Sequence, residues 1–276
     1  MFNQNINKNY LGSDPMGKTA LITGASGGIG YELAKVCARQ GVHLVLVART
    51  AGKLETVKKE LEGPVRVHTI ACDLSVPGAA RSVYDEVKNK NIAVDYLINN
   101  AGFGDYGFFD KCDWNKQEQM INLNITALAH LTRLFLPDLI CMGGGRIMNL
   151  ASTASFQPGP TMSVYFASKA FVLSFSEAIG SEVKDKGVTV TAFCPGATKS
   201  NFQAVSSGRD RKYFEDNHFP EAREVAEYGF RAMMKGKSVA IHGLKNRIIA
   251  YSIRFAPRSL VLKFTYRIQA KKYLKS

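Results

Sequence analysis

The chain predicts one doubly wound α/β domain, a parallel sheet with helices on both faces, followed by a C-terminal helical extension. Three observations carry this. Seven short apolar runs alternate with stretches of helical length. The first run ends in a glycine cluster that opens a helix. No break in composition divides the 276 residues, which are 46% hydrophobic and 21% charged. Unbroken apolar runs suit strands buried on both faces of a parallel sheet, and strand–helix alternation is the pattern of a doubly wound fold.

In order, the strand runs are residues 18–23, 42–47, 65–71, 94–98, 146–150, 188–193 and 238–241. Between them, residues 30–40, 52–61, 78–89, 114–136 and 163–186 have helical length and pattern, and a further helix is expected after Pro257, over about 258–274. The organisation expected is a flexible extension (1–16), the α/β domain (17–243) and a basic, partly amphipathic extension (244–276).

Composition excludes several classes. The hydrophobic content is too high for a disordered chain, and 24 Gly with 9 Pro is too few for a collagen-like one. No apolar run reaches the roughly 18 residues of a spanning helix. The Asn-rich start lacks the apolar centre of a secretory signal. Cys37, Cys72, Cys112, Cys141 and Cys194 are scattered and form no C-x-x-C pair, so they read as reduced thiols, with no disulfide frame and no metal site. The expectation is a cytoplasmic protein, with peripheral membrane attachment as an added option. The net charge of +13 is uneven: residues 228–276 hold twelve Lys or Arg and no Asp or Glu, which leaves the body nearly neutral. Such asymmetry points to an anionic partner or to a solvated basic helix.

The glycine cluster is Thr23-Gly24-Ala25-Ser26-Gly27-Gly28-Ile29-Gly30. Glycines at a strand-to-helix turn let a pyrophosphate approach the amides at the helix N-terminus. Gly24, Ser26, Gly28, Ile29 and Gly30 are therefore candidate cofactor residues. The second strand run is followed by Arg49 with no acid nearby. An acid there would bind a ribose diol, whereas an arginine clamps a 2′-phosphate, so NADP(H) is expected ahead of NAD(H). Asp73 and Leu74 follow the third run, and Asn100, Ala101 and Gly102 the fourth, at strand ends where open α/β sheets bind ligands.

Tyr165 and Lys169 are four residues apart, hence neighbours on a helix face. An ammonium beside a phenol is expected to lower its pKa from about 10 toward the working range. Ser152, just past the fifth run, can hydrogen-bond a carbonyl oxygen on which charge develops. Asn124, in the long helix before that run, can hold a water linking Lys169 to solvent, with Asn122 as a rival. Pro195 and Gly196 end the sixth run in a turn that can seat a nicotinamide ring.

In order and spacing, Thr23 to Gly30, Asn99 to Gly102, Asn124, Ser152, Tyr165/Lys169 and Pro195-Gly196 resemble the short-chain dehydrogenase/reductase family, over about residues 17–243. The resemblance implies a Rossmann-like fold with Tyr165 as general acid for carbonyl reduction. It implies that Lys169 tunes the tyrosine and binds the nicotinamide ribose, Ser152 positions the carbonyl, and Asn124 holds the relay water. It also places Asn100, Ala101 and Gly102 in the cofactor wall and the Thr198 backbone on the carboxamide. Ser200 stands where the family usually has threonine. A homodimer or homotetramer is expected by analogy.

Substrate class is read from what surrounds this core. The resemblance implies that the loop after the sixth run, residues 201–219 with Phe202, Val205, Tyr213, Phe214 and Phe219, closes over the substrate, and that residues 156–162 line the other side, without a charged anchor. Both suggest an apolar substrate. In the extension, Leu260, Val261, Phe264 and Ile268 share one helical face, with Lys263, Arg267 and Lys271 beside it. Docking on its own domain as part of the substrate pocket is the leading account, ahead of an anionic membrane surface and an oligomer contact. No nucleic-acid partner is expected. A similar extension in acyl-lipid and 3-oxoacyl thioester reductases makes a lipophilic or 3-oxoacyl-type ketone the leading substrate. Alternatives are a steroid or small xenobiotic ketone and, in another class, a non-catalytic NADP-sensing or membrane-associated scaffold.

Overall fold

The computed structural model describes residues 17–199 and 219–273. The elements are β1 (Thr19–Thr23), α1 (Gly28–Arg39), β2 (His43–Ala48), α2 (Ala51–Leu61), β3 (Val67–Ala71), α3 (Ala79–Asn89), β4 (Tyr96–Asn99), α4 (Trp114–Ile121), α5 (Leu128–Cys141), β5 (Gly145–Leu150), α6 (Ser163–Glu182), β6 (Val188–Cys194), α7 (Ala222–Met234), β7 (Val239–Ile241), α8 (Leu244–Ser252) and α9 (Arg258–Tyr273). All seven strands run parallel in the order β3-β2-β1-β4-β5-β6-β7.

The apolar runs form two cores because successive side chains on a strand point to opposite faces. Ala20, Ile22, Leu44, Leu46 and Ile98 face α1 and α7, with Leu33, Val225 and Phe230 among the buried partners. Leu21, Val45, Val47, Leu97 and Ile147 face α3 and α5, against Val83, Leu131 and Phe135. β1 lies beside β4, so the chain's crossovers change side between them, and a crevice opens at their carboxyl ends.

The long helix expected at 114–136 is divided. A wide π-type turn over Asn122–Ala127 separates α4 from α5, and α5 continues to Cys141. The added residue in that turn rotates Asn124 inward, where it is fully buried, a placement a regular 3.6-residue period does not reveal.

The C-terminal extension rests on its own domain, through a face the sequence pattern does not mark. Of the expected apolar face, Leu260, Phe264 and Ile268 are exposed and Val261 is half-buried, while Thr265 and Gln269 are buried. Both sheet faces are closed by other helices, and among the described residues the extension gives the apolar cores only Ala250, on α8. The N-terminal extension, Ser200, the lid residues Phe202, Val205, Tyr213 and Phe214, and the Lys271 side chain lie outside what is described.

Candidate active site

The crevice is built where β1 meets β4. Gly24 and Gly28 have φ of +67° and +56°, left-handed values that glycine adopts without strain. A Cβ on Gly24 would stand 2.8 Å from Asn100 Nδ2 and 2.9 Å from the Ala101 Cα, and one on Gly30 would collide with the same amide. The two walls are therefore in direct contact through Asn100, whose amide donates to the Thr23 carbonyl at 2.8 Å. Thr23 completes the join: its hydroxyl oxygen accepts the backbone N–H of Asn100 at 3.0 Å and of Ala101 at 2.9 Å. Reading the sequence missed this role, for which no local pattern signals.

Arg49 lies exposed just past β2, with no acid beside it in sequence. Asp73 Oδ1 accepts from the Ser75 backbone at 2.9 Å and the Ser75 hydroxyl at 2.7 Å, which holds the turn after β3, and Leu74 is buried there. Ser26 and Ile29 sit half-buried in the glycine turn.

The second half of the site is held by buried hydrogen bonds. Asn124 Nδ2 donates to the Phe103 carbonyl at 2.9 Å and to Ser168 Oγ at 3.1 Å, while its Oδ1 accepts from the Phe103 N–H at 3.2 Å. Ser168 Oγ donates to the Tyr165 carbonyl at 2.7 Å. Lys169 Nζ donates to the Leu150 carbonyl at 2.7 Å, and Ser155 Oγ to the Lys169 carbonyl at 2.7 Å. A Cβ on Gly102 would lie 2.9 Å from Asn124 Oδ1 and 3.4 Å from Lys169 Nζ, so these three residues converge on one spot. Asn122 makes none of these bonds. Below them runs a buried chain that sequence reading also missed: Asn99 Nδ2 donates to Thr132 Oγ1 at 3.1 Å and to Asn149 Oδ1 at 2.9 Å, and Asn149 Nδ2 to Ser176 Oγ at 3.0 Å.

Ser152 opens a capping box, its Oγ accepting from the Ala154 N–H at 3.1 Å. The Pro195 carbonyl, at the end of β6, accepts from the Thr153 N–H at 3.0 Å and holds the two strand ends together. Gly196 follows, and Thr198 is buried with its hydroxyl on the Gly196 carbonyl at 3.0 Å. Around Tyr165 pack Phe103, Tyr106, Met120, Met162, Val164 and Phe166, an apolar wall without a charge. Phe156 instead packs toward Val172 and Leu173, away from that wall.

The electrostatics correct one expectation. Burial pushes the Tyr165 hydroxyl up to about 12, although a hydrogen bond with Ser152 works the other way. Lys169 Nζ is 5.9 Å from the tyrosine ring centroid and does not offset the burial. The same burial pulls Lys169 down to about 8. Burial thus favours the protonated phenol of Tyr165 and the uncharged amine of Lys169. No cluster of metal-ligating side chains occurs among the described residues.

Comparison with known proteins fits this geometry. The short chain dehydrogenase family model matches residues 18–210. Sulfoacetaldehyde reductase 2 of Chromohalobacter salexigens is 36% identical over 224 residues, 78% of this chain and 88% of that one. The human very-long-chain 3-oxoacyl-CoA reductase is 31% identical over 253 residues, 88% of this chain and 78% of that one. The solved structure of a short-chain dehydrogenase from Sphingobium yanoikuyae in complex with NADPH has a TM-score of 0.77 at 33% identity, covering 85% of this chain and 92% of that one. With the sheet order, the crevice and these matches in agreement, the chain belongs to the short-chain dehydrogenase family of oxidoreductases.

Proposed function

We propose that this chain is an NADP(H)-dependent carbonyl reductase, reversible as an alcohol dehydrogenase, acting on a lipophilic ketone of the 3-oxoacyl type. The observation that carries the reaction is the meeting of Ser152, Tyr165, Lys169 and Asn124 beside a cradle that admits only glycine at Gly24, Gly30 and Gly102. Glycine at those positions lets the turn after β1 and the end of β4 pack in direct contact, and a glycine turn leading into a helix N-terminus suits a dinucleotide pyrophosphate. The exposed Arg49 and the absence of an acid at the end of β2 favour the 2′-phosphorylated form, as in the NADPH-bound relative.

A reduced nicotinamide, when bound, supplies the hydride to the carbonyl carbon. Ser152 orients the carbonyl oxygen, and Tyr165, kept protonated by burial, passes its phenolic proton to that oxygen as charge builds there. Lys169 then offers a proton toward the phenolate, and Asn124, anchored to Phe103, holds the path by which Lys169 is resupplied. The wall of Phe103, Tyr106, Met162 and Val164 favours an apolar substrate, and the match to a 3-oxoacyl-CoA reductase supports an acyl thioester. The 36% match to a sulfoacetaldehyde reductase favours a second reading, a small anionic aldehyde. A homo-oligomer through α5 and α6 is part of the proposal, with the stacked Phe171 and Phe175 (centroids 5.5 Å apart) on the outer side of α6.

The test is NADPH oxidation across 3-oxoacyl thioesters of rising chain length, with sulfoacetaldehyde and a small ketone as references. Efficiency that climbs with chain length supports the acyl reading. A preference for sulfoacetaldehyde overturns it. Tyr165→Phe should lower turnover by about 10²–10⁴-fold while NADPH still binds, and unchanged turnover would remove Tyr165 from the chemistry.

A further inference from the structure

The outward face of the C-terminal extension is unusual for a globular surface. On α8, Leu244, Ile248 and Tyr251 recur at i, i+4 and i+7 and are exposed, while Ala250 is buried. On α9, Leu260, Phe264 and Ile268 recur at i, i+4 and i+8 and are exposed, while Thr265 and Gln269 are buried. Both helices therefore turn an apolar stripe away from the body, the reverse of an ordinary surface helix. Phe255, in the link between them, is 89% exposed. Lys245, Arg247, Arg254, Arg258, Lys263 and Arg267 are also exposed and make no ion pair with another described residue. From Leu244 onward there are nine Lys or Arg and no acid.

We propose that this extension is a docking surface for an anionic lipid bilayer. Apolar side chains that project between basic ones match the boundary between acyl chains and anionic headgroups. No helix among the described residues is long and apolar enough to cross a membrane, so the contact lies in the interface plane. A second copy fits poorly, because an isologous pairing would set nine cations against nine with no acid between them.

The same surface adjoins the reaction site. α8 packs against the Thr153–Phe156 turn that follows Ser152. A Cβ on Gly196 would come within 2.5 Å of Asn246 Nδ2, so the inner side of α8 rests on the turn after β6. Docking therefore brings the membrane beside the crevice, where a lipophilic carbonyl compound dissolved in the bilayer can reach it. This delivery role rests on the substrate reading above, whereas the docking does not.

The full chain is sedimented with phosphatidylcholine vesicles, either pure or with roughly one third phosphatidylserine. Binding at least tenfold stronger on the anionic vesicles at about 0.1 M salt, and lost at about 1 M, is expected. Equal binding to both, or binding to neither, overturns the proposal. Phe255→Ser with Phe264→Ser should weaken binding by about tenfold or more with NADPH affinity intact, and unchanged vesicle binding overturns the apolar half of the surface. A concentration-dependent dimer without lipid that the double variant dissolves would assign the face to a second copy instead. Vesicle binding is scored without substrate, so failure of the acyl thioester assay leaves this result standing, and the reverse holds too.

Discussion

Replacing Thr23 by valine removes one oxygen and almost nothing else. Thr23 is buried at the end of β1, and its hydroxyl oxygen accepts the N–H groups of Ala101 (2.9 Å) and Asn100 (3.0 Å). The Asn100 N–H keeps a second acceptor, the Ile98 carbonyl at 3.0 Å. The Ala101 N–H has no other acceptor among the described residues, so Thr23→Val strands one backbone amide and weakens a second. A stranded amide costs about 1–3 kcal/mol and a weakened bond up to about 1, and valine leaves no cavity, so the total is about 1–4 kcal/mol. At roughly 2–4 °C per kcal/mol, the thermal midpoint should fall by about 2–16 °C. Urea unfolding gives the free energy, and NADPH fluorescence titration gives the effect on the crevice, whose walls this hydroxyl joins. Thr23→Ser keeps the acceptor and should recover most of the loss. A valine variant within about 0.5 kcal/mol of the parent would refute the reasoning, because the Ala101 amide would then have another partner.

Arg49→Ala should weaken NADPH binding by at least about tenfold and leave NADH binding unchanged, since a charge-assisted hydrogen bond contributes about 1.5–3 kcal/mol; equal losses for both nucleotides would take the 2′-phosphate away from this residue. Gly102→Ala should abolish turnover, because the new methyl must displace Asn124 Oδ1 or Lys169 Nζ, and steady-state rates in both directions check it. Lys169 is held near 8 when folded against 10.5 when exposed, so between those values the unfolded chain binds the extra proton and stability rises with pH. From pH 8 to 10 the parent should therefore gain about 2–3 kcal/mol relative to Lys169→Met by urea unfolding. Taking the difference between the two proteins cancels Cys37, which burial holds above its usual range in both; Cys194, whose thiol pKa Lys169 helps to lower, is replaced by Ala in both proteins, and parallel curves would contradict the assignment.

The strands and the motif residues were legible because their signals are local. Unbroken apolar runs mark strands covered on both sides, and a glycine turn between strand and helix marks the cradle. Thr23 was not legible as a clamp because its partners lie 77 and 78 positions away, a pairing set by β1 meeting β4. The wide turn around Asn124 was missed because a single inserted residue barely disturbs a helical period. Periodicity did identify Leu260, Phe264 and Ile268 as one face of a helix. It carries no information on which way that face turns, and here the body's cores are complete without it. The tyrosine's acidity was misjudged for a related reason: spacing reports the neighbouring cation but not how deeply both groups are buried.

The buried asparagines have a consequence for assembly of the sheet. Asn99 and Asn149 are register partners across β4 and β5, and each reaches a hydroxyl on a different helix, Thr132 on α5 and Ser176 on α6. Apolar strands alone would tolerate sliding, since valine, leucine and isoleucine pack almost interchangeably. A slip of one residue would turn one amide to the opposite face, and a slip of two would leave both amides among aliphatic side chains with no partner. The polar chain thus acts as a lock on alignment, admitting only the pairing that also brings the ends of β4 and β5 level, where Gly102 and Ser152 follow.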